Sequence, residues 1–447
     1  MTSGLVQRNG GRLGLAVLAA ILLLGLGLRV DEAWDGRAPA YDARAYAAIA
    51  ANLERSEGFT MGSGATQPSS NYSPGLPLFV AGVYEASGGV HERLARLLLA
   101  AIGTLAVLFA YLIGRRLSGV AAGLIGATAV AIYPALLEYQ GMLMSEPLAA
   151  TLLAGAVLAI FWAKEQSRRA AWLPPGVLLG ALALVRPEYL GVAFLLGLVV
   201  FAAGAREDWR HLLASVAILL AGVVLVVAPW TIRNASALNR FVPISTGGGQ
   251  VLFAGTYLPS DGDPEKVGAE VVARHPGIFA PGEVQRLRLE QILATLAAHR
   301  YPQLETDQAL SRMGRENLWD GISEEPLPYA GFTATKVARI WAHGPRDVMR
   351  EVPWEILHWA LIAFGLLGLV VLALPRGAFV SLSDQKAPHA LWEATVLATI
   401  FLAITALSAL LVASPRRVLV MLPLVAALAG VGAVWAWQML RRDSLAP

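Results

Sequence analysis

Long apolar stretches separated by short polar and often basic punctuation dominate this chain. Windows long enough to cross roughly 30 Å of hydrocarbon as helix fall at 12–30, 92–114, 118–137, 146–163, 171–186, 188–204, 211–230, 354–374, 389–412 and 418–438. The pattern predicts a mainly α fold, a polytopic transmembrane helix bundle of about ten spans. The pairs around Pro134 and around Arg186 can each be read as one broken hairpin. Two intervals, 31–91 and 231–353, lack such windows and are too long and too rich in Pro, Gly and aromatic residues to be simple turns. In the second, Gly282 to Arg300 and Thr306 to Trp319 carry helical periodicity, which predicts a small packed cap, α or α+β. The expected organisation is a bundle over 1–230 with a first outer loop at 31–91, a cap over 231–353, and C-terminal transmembrane helices over 354–447.

Composition agrees with a bilayer as solvent. Of 447 residues, 56% are hydrophobic and 15% charged, against about 25% charged in soluble domains. The net charge of +3 does not signal nucleic acid, because the basic residues sit in short groups between apolar runs and not along one face. The absence of cysteine excludes disulfides, thiolate metal sites and a cysteine nucleophile. The first apolar run has the form of a signal peptide with Ala38-Pro39-Ala40 as a cleavage site, but that string lies well past the run, so an uncleaved first span is expected. Excess Lys and Arg marks cytoplasmic connections. One set of connections holds Arg8 and Arg12; Arg115 and Arg116; Lys164, Arg168 and Arg169; Arg206 and Arg210; Arg376 and Lys386; and Arg441 and Arg442. These place both termini in the cytoplasm and both long intervals outside a plasma (inner) membrane. Neither an internal repeat nor an inverted pair of Gly/Pro-broken spans stands out, which weighs against a transporter.

Candidate chemistry lies at the outer span ends. Asp42 opens a short amphipathic helix whose Tyr46, Ile49, Ala50 and Leu53 share one face. Its carboxylate reads either as a helix N-cap or as a general base for an acceptor hydroxyl. Glu146, beside Pro147, reads either as a favourable charge at a helix N-terminus or as a site residue that orders the acceptor, pairs with an arginine or helps to hold a cation. Arg186, Arg233, Arg416 and Arg417 fall on the outer side, against the positive-inside trend. They either snorkel at the interface or bind a lipid phosphate as charge develops on it. The Ser414-Pro415-Arg416-Arg417 break favours phosphate binding, so one of Arg416 and Arg417 is the first candidate ligand, with Arg186 and Arg233 next. Asp261-Gly262-Asp263 reads as a turn, and Gly247-Gly248-Gly249 lacks the Lys-Ser/Thr of a phosphate loop, so it reads as a flexible or tightly packed turn. The histidines show no metal-ligand spacing, and His343 and His358 read as loop and interfacial residues. Trp230, Trp341, Trp354 and Trp359 fit interface anchoring. Asn71 and Asn234 open Asn-x-Ser strings, which would be outer-facing glycosylation acceptors in a eukaryote.

Four stretches together resemble the bacterial glycosyltransferases related to dolichyl-phosphate-mannose protein mannosyltransferases and aminoarabinose transferases, within the GT-C superfamily. They are Tyr41-Asp42 with Tyr46 and Ile49-Ala50, followed by Ser73 to Phe79; Met144-Ser145-Glu146-Pro147-Leu148; Pro229-Trp230-Thr231-Ile232-Arg233-Asn234; and Phe241 to Thr246 running into the three glycines. The resemblance implies an inverting transfer from a polyprenyl-phosphate sugar to a hydroxyl or similar acceptor on a lipid, glycan or protein. Asp42 is then the base, with Tyr46, Glu146 and the outer arginines at the substrate. Many relatives carry Asp-Glu where this chain has Asp42-Ala43; Asp31-Glu32 is the weaker candidate because of its position against the bilayer. No organic cofactor is implied; a divalent cation, Mg or Mn, would fall to Asp42 and Glu146. The alternatives are a flippase or transporter of lipid-linked sugars, a surface-polysaccharide polymerase or ligase using a lipid diphosphate, and a sensor without catalysis.

Overall fold

The computed structural model describes residues 2–36, 42–62, 67–203, 209–279, 286–374 and 389–443. Ala38-Pro39-Ala40, Tyr41, Arg206, Arg376 and Lys386 lie outside the described residues, as do the side chains of Arg8 and Arg442. The described residues form eighteen α-helices and no β-strand, so the cap is helical and not α+β; one isolated bridge joins Thr60 to Pro68.

The first half of the chain contains α1 (Thr2–Asp35), α2 (Asp42–Glu54), α3 (Gly75–Ser87), α4 (Glu92–Ser118), α5 (Val120–Ile132), α6 (Pro134–Gly141), α7 (Ser145–Glu165), α8 (Leu173–Val185), α9 (Tyr189–Ala203) and α10 (Trp209–Leu238). The cap holds α11 (Gly248–Thr256), α12 (Val267–Arg274), α13 (Leu289–Arg300), α14 (Thr306–Ser323) and α15 (Pro326–Ala342). The chain then returns to the bundle with α16 (Val352–Ala373), α17 (Ala390–Leu410) and α18 (Arg416–Asp443). Helix α13 starts at Leu289, later than the expected Gly282, which lies outside the described residues. Its buried Ile292, Leu293 and Leu296 pack with Phe253, Val267, Val271 and Leu310 into a core separate from that of the bundle.

The span count is lower than the apolar windows imply. Among the described residues seven helices, α1, α4, α7, α10, α16, α17 and α18, are long and apolar enough to cross a bilayer, and the count rises to eight when α5 and α6, bent by 48°, are taken as one span and not as a re-entrant loop. Helices α8 and α9 are apolar but short; the 15 residues of α9 reach only about 23 Å at 1.5 Å per residue. They form a hairpin whose turn is Arg186-Pro187-Glu188. The bend at Pro134 has a local cause. Proline has no N–H for the Val130 carbonyl four residues back, and a free carbonyl inside a bundle is costly. The fully buried Arg29 of α1 takes over, donating to Val130 O at 3.0 Å and Ala131 O at 3.2 Å. The sequence places Arg29 at the end of the first span, but α1 continues to Asp35 and carries it into the bundle.

Ion pairs identify the two ends of the bundle. At one, Arg116 near the end of α4 bridges Glu165 at the end of α7 (2.8 Å) and Glu393 at the start of α17 (2.6 Å). At the other, covered by the cap, the starts of α2, α7 and α18 meet the α8–α9 turn. Glycines allow the closest crossings, as where Gly368 of α16 and Gly432 of α18 lie against the carbonyls of Leu428 and Phe364.

Candidate active site

Six charged side chains at the capped end form one alternating chain. Arg416 Nη1 donates to Asp42 Oδ2 at 2.8 Å and Arg416 Nε to Glu146 Oε1 at 2.5 Å. The same Glu146 oxygen accepts from Arg186 Nη2 at 2.7 Å, and Arg186 Nη1 donates to Glu188 Oε1 at 3.2 Å. Arg417 Nε ends the chain 3.9 Å from Glu188. Each member occupies a helix terminus or turn: Asp42 opens α2, Glu146 is in the first turn of α7, Arg186 and Glu188 form the short hairpin's turn, and Arg416 and Arg417 begin α18. A charge at the end of a span avoids the cost it would meet at the bilayer centre. Residues more than 370 positions apart in sequence thus converge on one place.

The chain lines a cleft of about 330 Å³ between bundle and cap, with Tyr46, Ser73 and Ser145 on the bundle side and Gln250, Val251 and Ala254 on the cap side. Asp42 keeps 35% of its side chain exposed, whereas Glu146 is fully buried. Among the described residues Glu146 Oε2 and Arg186 Nε have no hydrogen-bond partner, so one acceptor and one donor remain unused. Burial alone would raise the Glu188 carboxyl, but Arg186 and Arg417 outweigh it and hold Glu188 below the ordinary carboxylate range. Burial, and then the nearby Asp42 charge, push the Tyr46 phenol up, so it stays a hydroxyl. The Arg416 guanidinium also lies 5.7 Å from the Tyr139 ring centre.

The sequence-derived residues divide accordingly. Asp42, Tyr46, Glu146, Arg186, Arg416 and Arg417 all line the cleft or join its ionic chain. Arg233 does not. It donates to Ser69 O (2.8 Å) and Phe59 O (3.2 Å) and stacks on Trp230 at 4.9 Å. The Pro229-to-Asn234 stretch is therefore a clasp. Trp230 Nε1 donates to Ile244 O at 2.8 Å, and Asn234 takes Ser70 Oγ at 2.6 Å while donating to Val242 and Ile244 carbonyls. The interface roles expected of Trp230 and His358 give way to internal ones. Trp230 is buried, and buried His358 bonds the Tyr133 hydroxyl (2.8 Å) and the Trp341 carbonyl (2.9 Å). Asp261 and Gly262 form the expected turn, both with positive φ. Gly249 packs against Asp307, whose carboxylate accepts its N–H at 2.8 Å.

Glu188, in the ionic chain, and Tyr139, against Arg416, are the site residues that sequence reasoning missed. For Glu188 a signal existed, since Arg186-Pro187-Glu188 repeats the outer-end acid argument made for Glu146. As a cation site the cleft fits poorly: Arg416 stands between Asp42 and Glu146, and the described residues contain no group of three or more His, Asp or Glu that could hold a metal ion.

Fold and cleft together describe a polytopic helical membrane protein with a charged cleft at one end of its bundle. Residues 71–232 match the model of the dolichyl-phosphate-mannose-protein mannosyltransferase family, a segment that includes Ser73 to Phe79, Glu146 and Arg186, so the resemblance read from the motifs is borne out there. Asp42 and the arginines of α18 lie outside it. The fold is similar to that of the archaeal oligosaccharyltransferase AglB from Archaeoglobus fulgidus, solved with an inhibitory peptide and a dolichol-phosphate. The TM-score is 0.56 and the identity 17%, over 96% of this chain and 51% of that one. The apo form of the Archaeoglobus enzyme gives 0.55 at 15% identity, again over 96% and 51%. This chain therefore spans about half the length of the archaeal enzyme. ArnT from Cupriavidus metallidurans bound to undecaprenyl phosphate aligns over 95% of this chain and 78% of that one, with 16% identity and a TM-score of 0.39. No curated protein matches by sequence.

Proposed function

We propose that this protein is a membrane glycosyltransferase that moves a sugar from a polyprenyl-phosphate donor to a hydroxyl or similar acceptor, with inversion. The observation that carries the reading is the ionic chain. It places a partly exposed carboxylate, Asp42, and a row of guanidiniums in one cleft at a membrane surface. An inverting transfer requires both, a base for the acceptor and a cationic seat for the departing phosphate. The family match and the dolichol-phosphate held by the archaeal enzyme support the same class.

In this mechanism the acceptor hydroxyl lies between Asp42 and the anomeric carbon. The new O–C1 bond forms as the C1–O bond to phosphate breaks. The acceptor proton passes to Asp42, and the bonding electron pair leaves with the lipid phosphate, which one of the α18 arginines receives. Single displacement inverts C1. Glu146, fully buried, holds Arg416 and Arg186 beside the cleft. Arg416 holds the Asp42 carboxylate in place. The basic residues of the uncapped end, among them Arg115, Arg116, Lys164, Arg168 and Arg169, support a cytoplasmic location for that end and for both termini, with the cleft facing outward across a plasma (inner) membrane.

The test is donor turnover by purified protein in lipid with a panel of labelled polyprenyl-monophosphate sugars. Donor-dependent release of lipid phosphate with sugar transfer supports the reading. Movement of intact labelled lipid across the bilayer without release would overturn it in favour of a flippase.

A further inference from the structure

The ionic chain balances three carboxylates against three guanidiniums, and a fourth cation lies beneath it. Lys336 of α15 is fully buried. Its Nζ donates to Gly255 O on α11 and, at 2.5 Å, to Ala409 O in the last turn of α17. Both carbonyls adjoin the cleft, because the neighbouring Ala254 and Val412 line it. Arg417 holds the same α17 turn, donating to Ser408 Oγ at 3.2 Å and to the Val412 carbonyl. The nearest carboxylate to Arg417 is 3.9 Å away, and no ion pair joins Lys336 to a carboxylate among the described residues.

A cation suits a helix C-terminus, and the two carbonyls tie the cap to the bundle through Lys336. That account explains two hydrogen bonds, which a neutral donor could also make, but not the charge. A buried ammonium with carbonyl partners alone carries a desolvation cost that an anion nearby would offset. The side chain is also held in place: the Phe332 ring centre lies 5.0 Å from its Nζ, and Gly262 packs on its Cγ. Val412, Ser414 and Arg417, which follow the α17 turn that Lys336 and Arg417 both hold, line one end of the cleft.

We propose that Lys336 is a positioning residue for the donor's phosphate, acting through its field from under the Arg417 end of the cleft and leaving that cleft with one net positive charge. This charge matches the single negative charge of a polyprenyl phosphodiester better than the higher charge of a lipid diphosphate. The inference rests on the polyprenyl-phosphate reading above. It also divides labour between the two adjacent arginines: Arg417, the less committed to carboxylates, receives the phosphate, while Arg416 holds Asp42.

Binding of three lipids of equal chain length, a polyprenyl methyl phosphodiester, a polyprenyl diphosphate and the polyprenol, to full-length protein in nanodiscs tests this. The wild type should prefer the phosphodiester to the alcohol by at least about tenfold and should not prefer the diphosphate over the phosphodiester. Lys336→Gln, which keeps N–H donors for both carbonyls without the charge, should lower the phosphodiester-over-alcohol ratio about tenfold. Lys336→Arg should restore the ratio. A purely structural lysine would change both affinities together and leave the ratio intact, which would overturn the inference alone. A wild type with no preference for phosphate would overturn the donor reading as well. If Lys336→Gln does not fold, a phosphodiester carrying a photoreactive group beside its phosphate should label residues 408–417 in the wild type; labelling confined to α2 would overturn the placement.

Discussion

The two ends of α7 carry similar-looking chemistry with different consequences. Glu165 at the uncapped end shares Arg116 with the buried Glu393, a three-member cluster joining α4, α7 and α17. Glu146 at the capped end belongs to a six-member chain, and that chain lines a cleft. The first cluster has one cation for two acids and closes on itself. The second has a partly exposed carboxylate at one end and, at the other, a guanidinium 3.9 Å from its nearest carboxylate. Buried ion pairs alone do not mark a functional site, since they also fasten helices. Among the described residues both clusters keep buried polar atoms without a hydrogen-bond partner, Glu393 Oε2 at one end and Glu146 Oε2 at the other, so what distinguishes the capped end is the open space beside its charges.

Substitutions can sharpen that contrast. Arg416→Ala removes the contact to Asp42 and one of the two contacts to Glu146, so transfer should fall about 100- to 1,000-fold, as read by initial rates at saturating donor. Glu393→Gln should do the reverse. Arg116 keeps Glu165, so unfolding stability should drop by roughly 1–2 kcal/mol in thermal melts while transfer rates per folded molecule stay at the wild-type level. A transfer defect there as large as that of Arg416→Ala would erase the distinction between the two ends.

The smallest effect concerns pH. Burial, and then Arg417, bring Lys336 from its ordinary 10.5 down to about 8. Between those values the unfolded chain binds more protons than the folded one, so the ligand-free protein should gain stability as pH rises from 8 towards 10.5. Melts of wild type and Lys336→Met across that range check the sign: the wild-type slope should be positive, and the variant should lose it.

How much of this was legible in the sequence follows from what each feature depends on. Hydropathy alone pointed to a polytopic helical bundle, because backbone groups in hydrocarbon must be satisfied within helices. It overcounted spans, because apolar windows at 171–186 and 188–204 do not reveal that the helices they form stop short. Asp42, Glu146 and the Arg416-Arg417 pair stood out as charges at outer span ends. Arg233 carried the same signal, yet it serves as a clasp, because its partners, the carbonyls of Phe59 and Ser69, are set by tertiary folding. Lys336 gave no signal, because its burial depends on three elements meeting.

The account stands most directly on one measurement, single-turnover transfer with a labelled polyprenyl-phosphate sugar in liposomes, with donor binding recorded on the same samples for wild type and Asp42→Asn. The prediction is donor affinity within about threefold of wild type and a transfer rate lowered by about a thousandfold or more. Transfer by Asp42→Asn at a rate near the wild type's would contradict the assignment of this cleft as the catalytic site.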